Sequence, residues 1–116
     1  MDKKYHGIIP PIVSPVDSDE NIDEHGFRAL IEYCIEGGLH GLLVAGTNGE
    51  TMQLTQKERN RAIEIAIDQV NGRIPVIAGV MDTSTKRVIE NIKALEDMGG
   101  TCAAVTPIFY DRHTSQ

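Results

Sequence analysis

Thr47 and Asn48 stand between two glycines, Gly46 and Gly49, with Glu50 directly after them. These are the residues best suited to chemistry in the chain. The glycines let the backbone reach positive φ and approach a ligand closely, while Thr47 offers a hydroxyl and Asn48 an amide. Successive backbone N–H groups in such a turn make a concavity suited to a carboxylate or a phosphate. The plain alternative is a strand-to-helix loop. Glu50 has no charge partner visible in its neighbours and reads as a capping or turn carboxylate rather than a general base.

The turn must be held by what precedes and follows it. Leu42, Leu43, Val44 and Ala45 form a short, fully apolar run of the kind found in a strand buried on both faces. Before it, Phe27, Leu30, Ile31, Cys34 and Ile35 recur at helical spacing. Asn21 is the expected cap, and Gly37-Gly38 the expected stop. After it, Thr55-Gln56-Lys57-Glu58 is a capping box for a helix striped by Ile63, Ala66, Ile67 and Val70 and closed by Asn71-Gly72. Residues 74–80 (I-P-V-I-A-G-V) predict another strand. A third helix is expected next, capped by Thr83 and carrying Val88, Ile89, Ile92 and Leu95. Residues 102–106 predict a last strand, ending at Pro107.

The first apolar run, residues 7–13 (G-I-I-P-P-I-V), contains two prolines without ladder donors, so an irregular or edge-like strand is expected there. The order is then βαβαβαβ, an α/β chain with a parallel sheet and right-handed crossovers. Ligands to such sheets bind beyond the carboxyl ends of the strands. Four segments therefore converge on one mouth: Ser14-Pro15, residues 46–50, residues 79–83 and residues 106–110.

Composition narrows the classes. With 116 residues and 41% hydrophobic side chains the chain is the size of one domain, residues 1–116, with enough apolar material for a core. Its net charge is −6, with acidic residues spread along it, so no basic face is offered to nucleic acid or to an anionic membrane. The short, proline-broken run after M-D-K-K-Y-H is neither a signal peptide nor a spanning helix, and a cytoplasmic protein is expected. Cys34 and Cys102 fit reduced thiols. Neither they nor the four scattered histidines have metal-ligand spacing, and no nucleotide fingerprint follows any strand, so no metal or cofactor is expected.

Five ordered stretches resemble the N-terminal half of the dihydrodipicolinate synthase / N-acetylneuraminate lyase family of class I aldolases. They are I-V-S-P-V-D, G-L-H-G-L-L-V-A-G-T-N-G-E-T, L-T-Q-K-E-R, R-I-P-V-I-A-G-V and A-A-V-T-P-I-F-Y, and together they cover nearly the whole chain. The resemblance implies a (β/α)₈ TIM barrel, of which these residues form the N-terminal half. It also implies a lyase or synthase that handles pyruvate or another 2-oxo acid through a lysine Schiff base. Thr47 then matches the hydroxyl of a tyrosine–threonine proton relay, and Thr47 and Asn48 together hold the substrate carboxylate. Asn48 itself is more similar to the hydroxy-oxoglutarate and keto-deoxy-sugar-acid branches than to the dihydrodipicolinate and neuraminate branches, which usually carry Thr.

Two departures from the family pattern matter. The family's relay tyrosine lies two residues past the proline, where this chain has Phe109; Tyr110 matches with one inserted residue. The family's Schiff-base lysine and a further tyrosine lie on its sixth and fifth strands, beyond the segments matched here. Lys3, Lys4, Lys57, Lys86 and Lys93 all fall near the N-terminus or in helical patterns, with nothing to lower an amine pKa. The 116-residue chain alone is therefore expected to be inactive and, with open sheet edges, to associate, as a homo-oligomer or with a complementary half. A non-catalytic half-barrel or assembly module is the competing function. An open flavodoxin-like domain also permits this element order, but its phosphate-binding turn is missing.

Overall fold

Helices and parallel strands alternate through the computed structural model, which describes residues 4–47 and 49–107. They are α1 (Glu24–Glu36), β1 (Leu42–Val44), α2 (Gln56–Val70), β2 (Val76–Gly79), α3 (Thr85–Asp97) and β3 (Ala103–Ala104). The strands make one sheet in the order β1-β2-β3. Leu42 is in register with Val76, Val44 with Ala78, and Ala78 with Ala103. All three carboxyl ends therefore open on the same side.

The first apolar run lies parallel beside β1 without becoming a regular strand. Ile12 N–H donates to Leu43 O at 3.0 Å and Leu43 N–H donates to Pro10 O at 3.0 Å, with Pro11 opposite Leu43. Pro10 and Pro11 have no N–H to extend the ladder, so pairing stops at one bridge. The expected four strands are thus three strands and one paired segment. β2 and β3 are also shorter than residues 74–80 and 102–106.

Two expected helix caps are displaced. α1 is capped by Asp23, whose carboxylate accepts from Gly26 N–H at 3.0 Å, and not by Asn21. α3 is capped by Ser84, which accepts from Arg87 N–H at 3.2 Å, and not by Thr83. The N–H of Thr83 is itself held by Asp82 Oδ1 at 2.7 Å, which fixes Thr83 in the loop ahead of the helix. For α2 the sequence expectation holds, because Thr55 Oγ1 accepts from Glu58 N–H at 3.2 Å and left-handed Asn71, at φ 48°, ends the helix. Glu58 does not turn back to complete the box. Its carboxylate accepts instead from Ile22 N–H at 2.9 Å and ties α2 to the segment entering α1.

The core lies between the helices and one face of the sheet. Phe27 and Ile31 of α1, Ala62, Ala66 and Val70 of α2, and Leu42, Val44 and Ala78 of the strands are all buried. Burying such side chains contributes roughly 1.5–3 kcal/mol each for the larger ones. Pro11, Leu43 and Ile77 share the opposite face through their register and are less covered.

Candidate functional site

β1 delivers the chain to the mouth and Ala45 turns it. Ala45 is a buried residue at φ 59°, a left-handed conformation that a non-glycine residue holds only when its surroundings impose it. From there the backbone folds back on itself. Gly49 N–H donates to Gly46 O at 3.1 Å, Glu50 N–H to Thr47 O at 3.0 Å and Thr51 N–H to Gly46 O at 3.4 Å. Three successive amides are therefore used inside the turn. The N–H of Thr47 makes no hydrogen bond among the described residues, and the Thr47 side chain is exposed at the rim. Glu50 is also exposed, at φ 56°, and its carbonyl accepts from Gln53 N–H at 2.9 Å, in keeping with a turn residue.

Neighbouring segments close around this turn. A Cβ placed on Gly49 would lie 3.2 Å from Ser14 Oγ and 3.2 Å from the backbone of Ala45, so the segment after the first apolar run touches the turn directly. A side chain at Gly49 would require these neighbours to give by a few tenths of an ångström. Ser14 and Thr51 are buried, at 6% and 2% exposure, and their hydroxyls have no hydrogen-bond partner among the described residues.

The β2 side of the mouth is set by a buried ionic cluster. Arg59 on α2 is 3% exposed; its guanidinium donates to the carbonyls of Gly79 at 3.3 Å and Met81 at 2.5 Å and pairs with Asp82 at 3.4 Å. Asn91 on α3 donates to Val80 O at 3.0 Å and to Asp82 at 3.3 Å, and Arg87 reaches the other Asp82 oxygen at 3.2 Å. Burial pushes the Asp82 carboxyl up. The Thr83 N–H, Asn91 and the charges of Arg87 and Arg59 outweigh that effect and hold it below the ordinary carboxylate range. Burial likewise lowers the Arg59 guanidinium and raises the Cys34 thiol, which packs half-buried against the core.

Of the site residues expected from sequence, Thr47 sits at the rim beside the Ser14 segment and ahead of the β2 end. Asn48, Phe109 and Tyr110 lie outside the described residues. Lys4, Lys57, Lys86 and Lys93 are exposed, the last three on helices. The cluster of Arg59, Asp82 and Asn91 was not anticipated, although a trace of it is present in the sequence. Arg59 stands three, four and seven positions before Ala62, Ile63 and Ala66, on the buried stripe of α2, and Asn91 occupies the same stripe on α3 as Val88, Ile92 and Leu95. Among the described residues no group of three or more His, Cys, Asp or Glu side chains could hold a metal ion.

Comparison with known proteins decides the family. The model of the dihydrodipicolinate synthetase family matches residues 4–116. The chain belongs to that family. It is 38% identical over 109 residues to the 4-hydroxy-tetrahydrodipicolinate synthase of Methanothermobacter thermautotrophicus, covering 94% of this chain and 38% of that protein. It is 33% identical, with a TM-score of 0.87, to YagE, a prophage protein of the same family from E. coli K12 solved in complex with pyruvate. That match covers 93% of this chain and 36% of YagE. The 4-hydroxy-tetrahydrodipicolinate synthase of Methylacidiphilum fumariolicum SolV gives a TM-score of 0.89 at 28% identity, over 96% of this chain and 37% of that one. The chain thus spans somewhat over a third of the length of these family members. Its parallel βα units are those of the N-terminal half of a (β/α)₈ barrel.

Proposed function

We propose that this family member acts on pyruvate or another small 2-oxo acid by Schiff-base aldol chemistry, with the turn at residues 46–50 as the carboxylate cradle. The observation that carries this reading is Thr47, whose exposed side chain, and an N–H with no partner among the described residues, stand at the carboxyl end of β1 while the amides of Gly49, Glu50 and Thr51 are used within the turn. A carboxylate at the rim would take the N–H groups of Thr47 and Asn48 and the side chain of Asn48. When an amine condenses with the keto group, the keto oxygen leaves as water and must gain protons. The Thr47 hydroxyl, with Tyr110 as its relay partner, would pass them. Among the described residues Lys4, Lys57, Lys86 and Lys93 are all exposed, which supports an amine supplied by a lysine outside these 116 residues. The E. coli relative bound to pyruvate supports the substrate class.

Borohydride reduction in the presence of pyruvate tests the reading. The 116-residue chain is expected to stay unmodified, and the same residues joined to the remaining barrel strands to gain one reduced adduct on lysine. Absence of that adduct from the longer protein would remove the Schiff base.

The exposed lysines favour one second reading, a half barrel that keeps the carboxylate pocket without catalysis. Titration calorimetry with pyruvate, with and without Asn48→Ala, separates a working pocket from a purely structural module. Self-association follows from the open edge of β3 and is tested by light scattering, where a sharp monomer peak with cooperative melting would count against it. No described helix is long and apolar enough to cross a membrane, and a cytoplasmic site of action is part of the same proposal.

A further inference from the structure

The stretch that carries Thr47 leaves β1 at Ala45 and enters α2 through the Thr55 cap, and both of its ends are tied to the same residue of β2. At the entry the Ala45 carbonyl stands over Gly79, where a Cβ would lie 2.2 Å from its oxygen. At the exit Arg59 N–H donates to Thr55 O at 2.8 Å in the first turn of α2. The Arg59 guanidinium then reaches back to donate to Gly79 O at 3.3 Å and Met81 O at 2.5 Å. Asn91 donates to the carbonyl between them, Val80 O, at 3.0 Å, and Asp82 accepts from both side chains. Three consecutive carbonyls at the end of β2 are thus held by side chains from α2 and α3. A guanidinium carries several donors in a rigid fork, which lets Arg59 reach two carbonyls and a carboxylate at once.

We infer that Arg59 is a positioning residue for Thr47. Bonded to Gly79 O, it draws the exit of the Thr47 stretch onto the residue that its entry already touches, and so fixes the left-handed corner at Ala45 against β2. Thr47 stands two residues past that corner, and any shift of the corner carries its hydroxyl along. A misplacement of about 1 Å at a reacting group can cost about a hundredfold in rate. The relay role of Thr47 is that of the proposed function, on which this inference rests. Arg59 is additional to it, because it acts through Gly79 and Ala45 and needs no contact with substrate.

The test uses Arg59→Lys in the intact protein, which keeps a charge for Asp82 but cannot span both carbonyls as well. Val70→Ala, buried at the far end of the same helix, is the comparison that lowers stability away from the end of β2. One reading is hydrogen exchange at the Gly49, Glu50 and Thr51 amides, which are bonded within the turn. They should exchange about tenfold faster in Arg59→Lys and near the parent rate in Val70→Ala. The other is a double-mutant cycle on kcat with pyruvate. Arg59→Lys alone should cost about tenfold, and Thr47→Val about a hundredfold in the parent but only about tenfold in the Arg59→Lys background, whereas independent sites would multiply. Should Arg59→Lys fail to fold, native-state exchange on the parent decides: the turn amides should open together with Val80 N–H, which is bonded to Ala104 O. The inference is overturned if the turn amides behave alike in the two variants, if they open apart from Val80 in the parent, or if the losses in the cycle multiply. If Thr47→Val leaves kcat intact in the parent, the relay reading fails by itself, and the exchange rates still decide whether Arg59 holds the turn.

Discussion

The carbonyl oxygen of Ala45 occupies the space where a side chain at Gly79 would begin: a Cβ there would lie 2.2 Å from it and 2.8 Å from the carbonyl carbon. The strained end of β1 is accommodated by a missing side chain on β2. Gly79→Ala must therefore displace backbone and not the tip of a flexible side chain. The expected loss is about 1–3 kcal/mol or more, with a lower denaturation midpoint. Gly37→Ala is the control. Its Cβ would meet nothing closer than 3.4 Å, its φ is −73°, and it should hold or raise the midpoint.

Arg59→Met removes one partner of the buried Asp82 carboxylate, which Thr83 N–H, Asn91 and Arg87 also hold, together with the donors to the Gly79 and Met81 carbonyls. Breaking a buried pair from one side costs about 3–5 kcal/mol, and urea unfolding should show a loss of that order. Acid unfolding tests the other side of the pair. Asp82 has a lower carboxyl pKa folded than unfolded, so below the unfolded value of about 3.9 the unfolded chain binds more protons. Its contribution is complete above that pH and falls away as pH drops through the folded value. Asp82→Asn should be less stable at neutral pH and show a shallower loss below about pH 4.

Glu58 lets the two uses of a first-turn glutamate be separated. Glu58→Gln keeps an acceptor for Ile22 N–H and should stay close to the parent in stability. Glu58→Ala leaves that buried N–H without its partner, at a cost of about 1–3 kcal/mol. Hydrogen exchange at Ile22 should quicken in the alanine variant and hold in the glutamine variant.

Thr47→Val tests the relay apart from the cradle. The hydroxyl is lost and the amide kept, so in the intact enzyme kcat should fall about a hundredfold while the pyruvate Kd changes little. Because Thr47 is exposed, melting should not move. Thr47→Ser restores the hydroxyl and should restore kcat. A fall in affinity with kcat preserved would place Thr47 in binding alone.

The apolar runs and helical stripes of the sequence announced the element order, because burial on one or both faces leaves a direct mark on residue type. The Thr55 cap, Asn71 and the rim position of Thr47 were readable for the same local reason. One local boundary was off by two residues, because Asp23 and not Asn21 takes the Gly26 N–H at the start of α1. The rest of what escaped were choices decided by partners distant in sequence. Glu58 leaves its own helix for Ile22, thirty-six positions away. Asp82, an ordinary loop carboxylate by sequence, becomes buried between residues of α2 and α3. The Ser14 and Thr51 hydroxyls are buried with no partner among the described residues, which no pattern of residue types records.

Pro11 faces Leu43 across the bridge while the bonds themselves come from its neighbours at 10 and 12, so the backbone nitrogen of Pro11 points to the outer edge and has no hydrogen to offer there. A newly made chain emerging from the ribosome shows this border before its later partners exist, and a stray strand that docked against it would meet a missing rung at its centre. Pro11 thus leaves this border one backbone donor short for any strand that pairs with it.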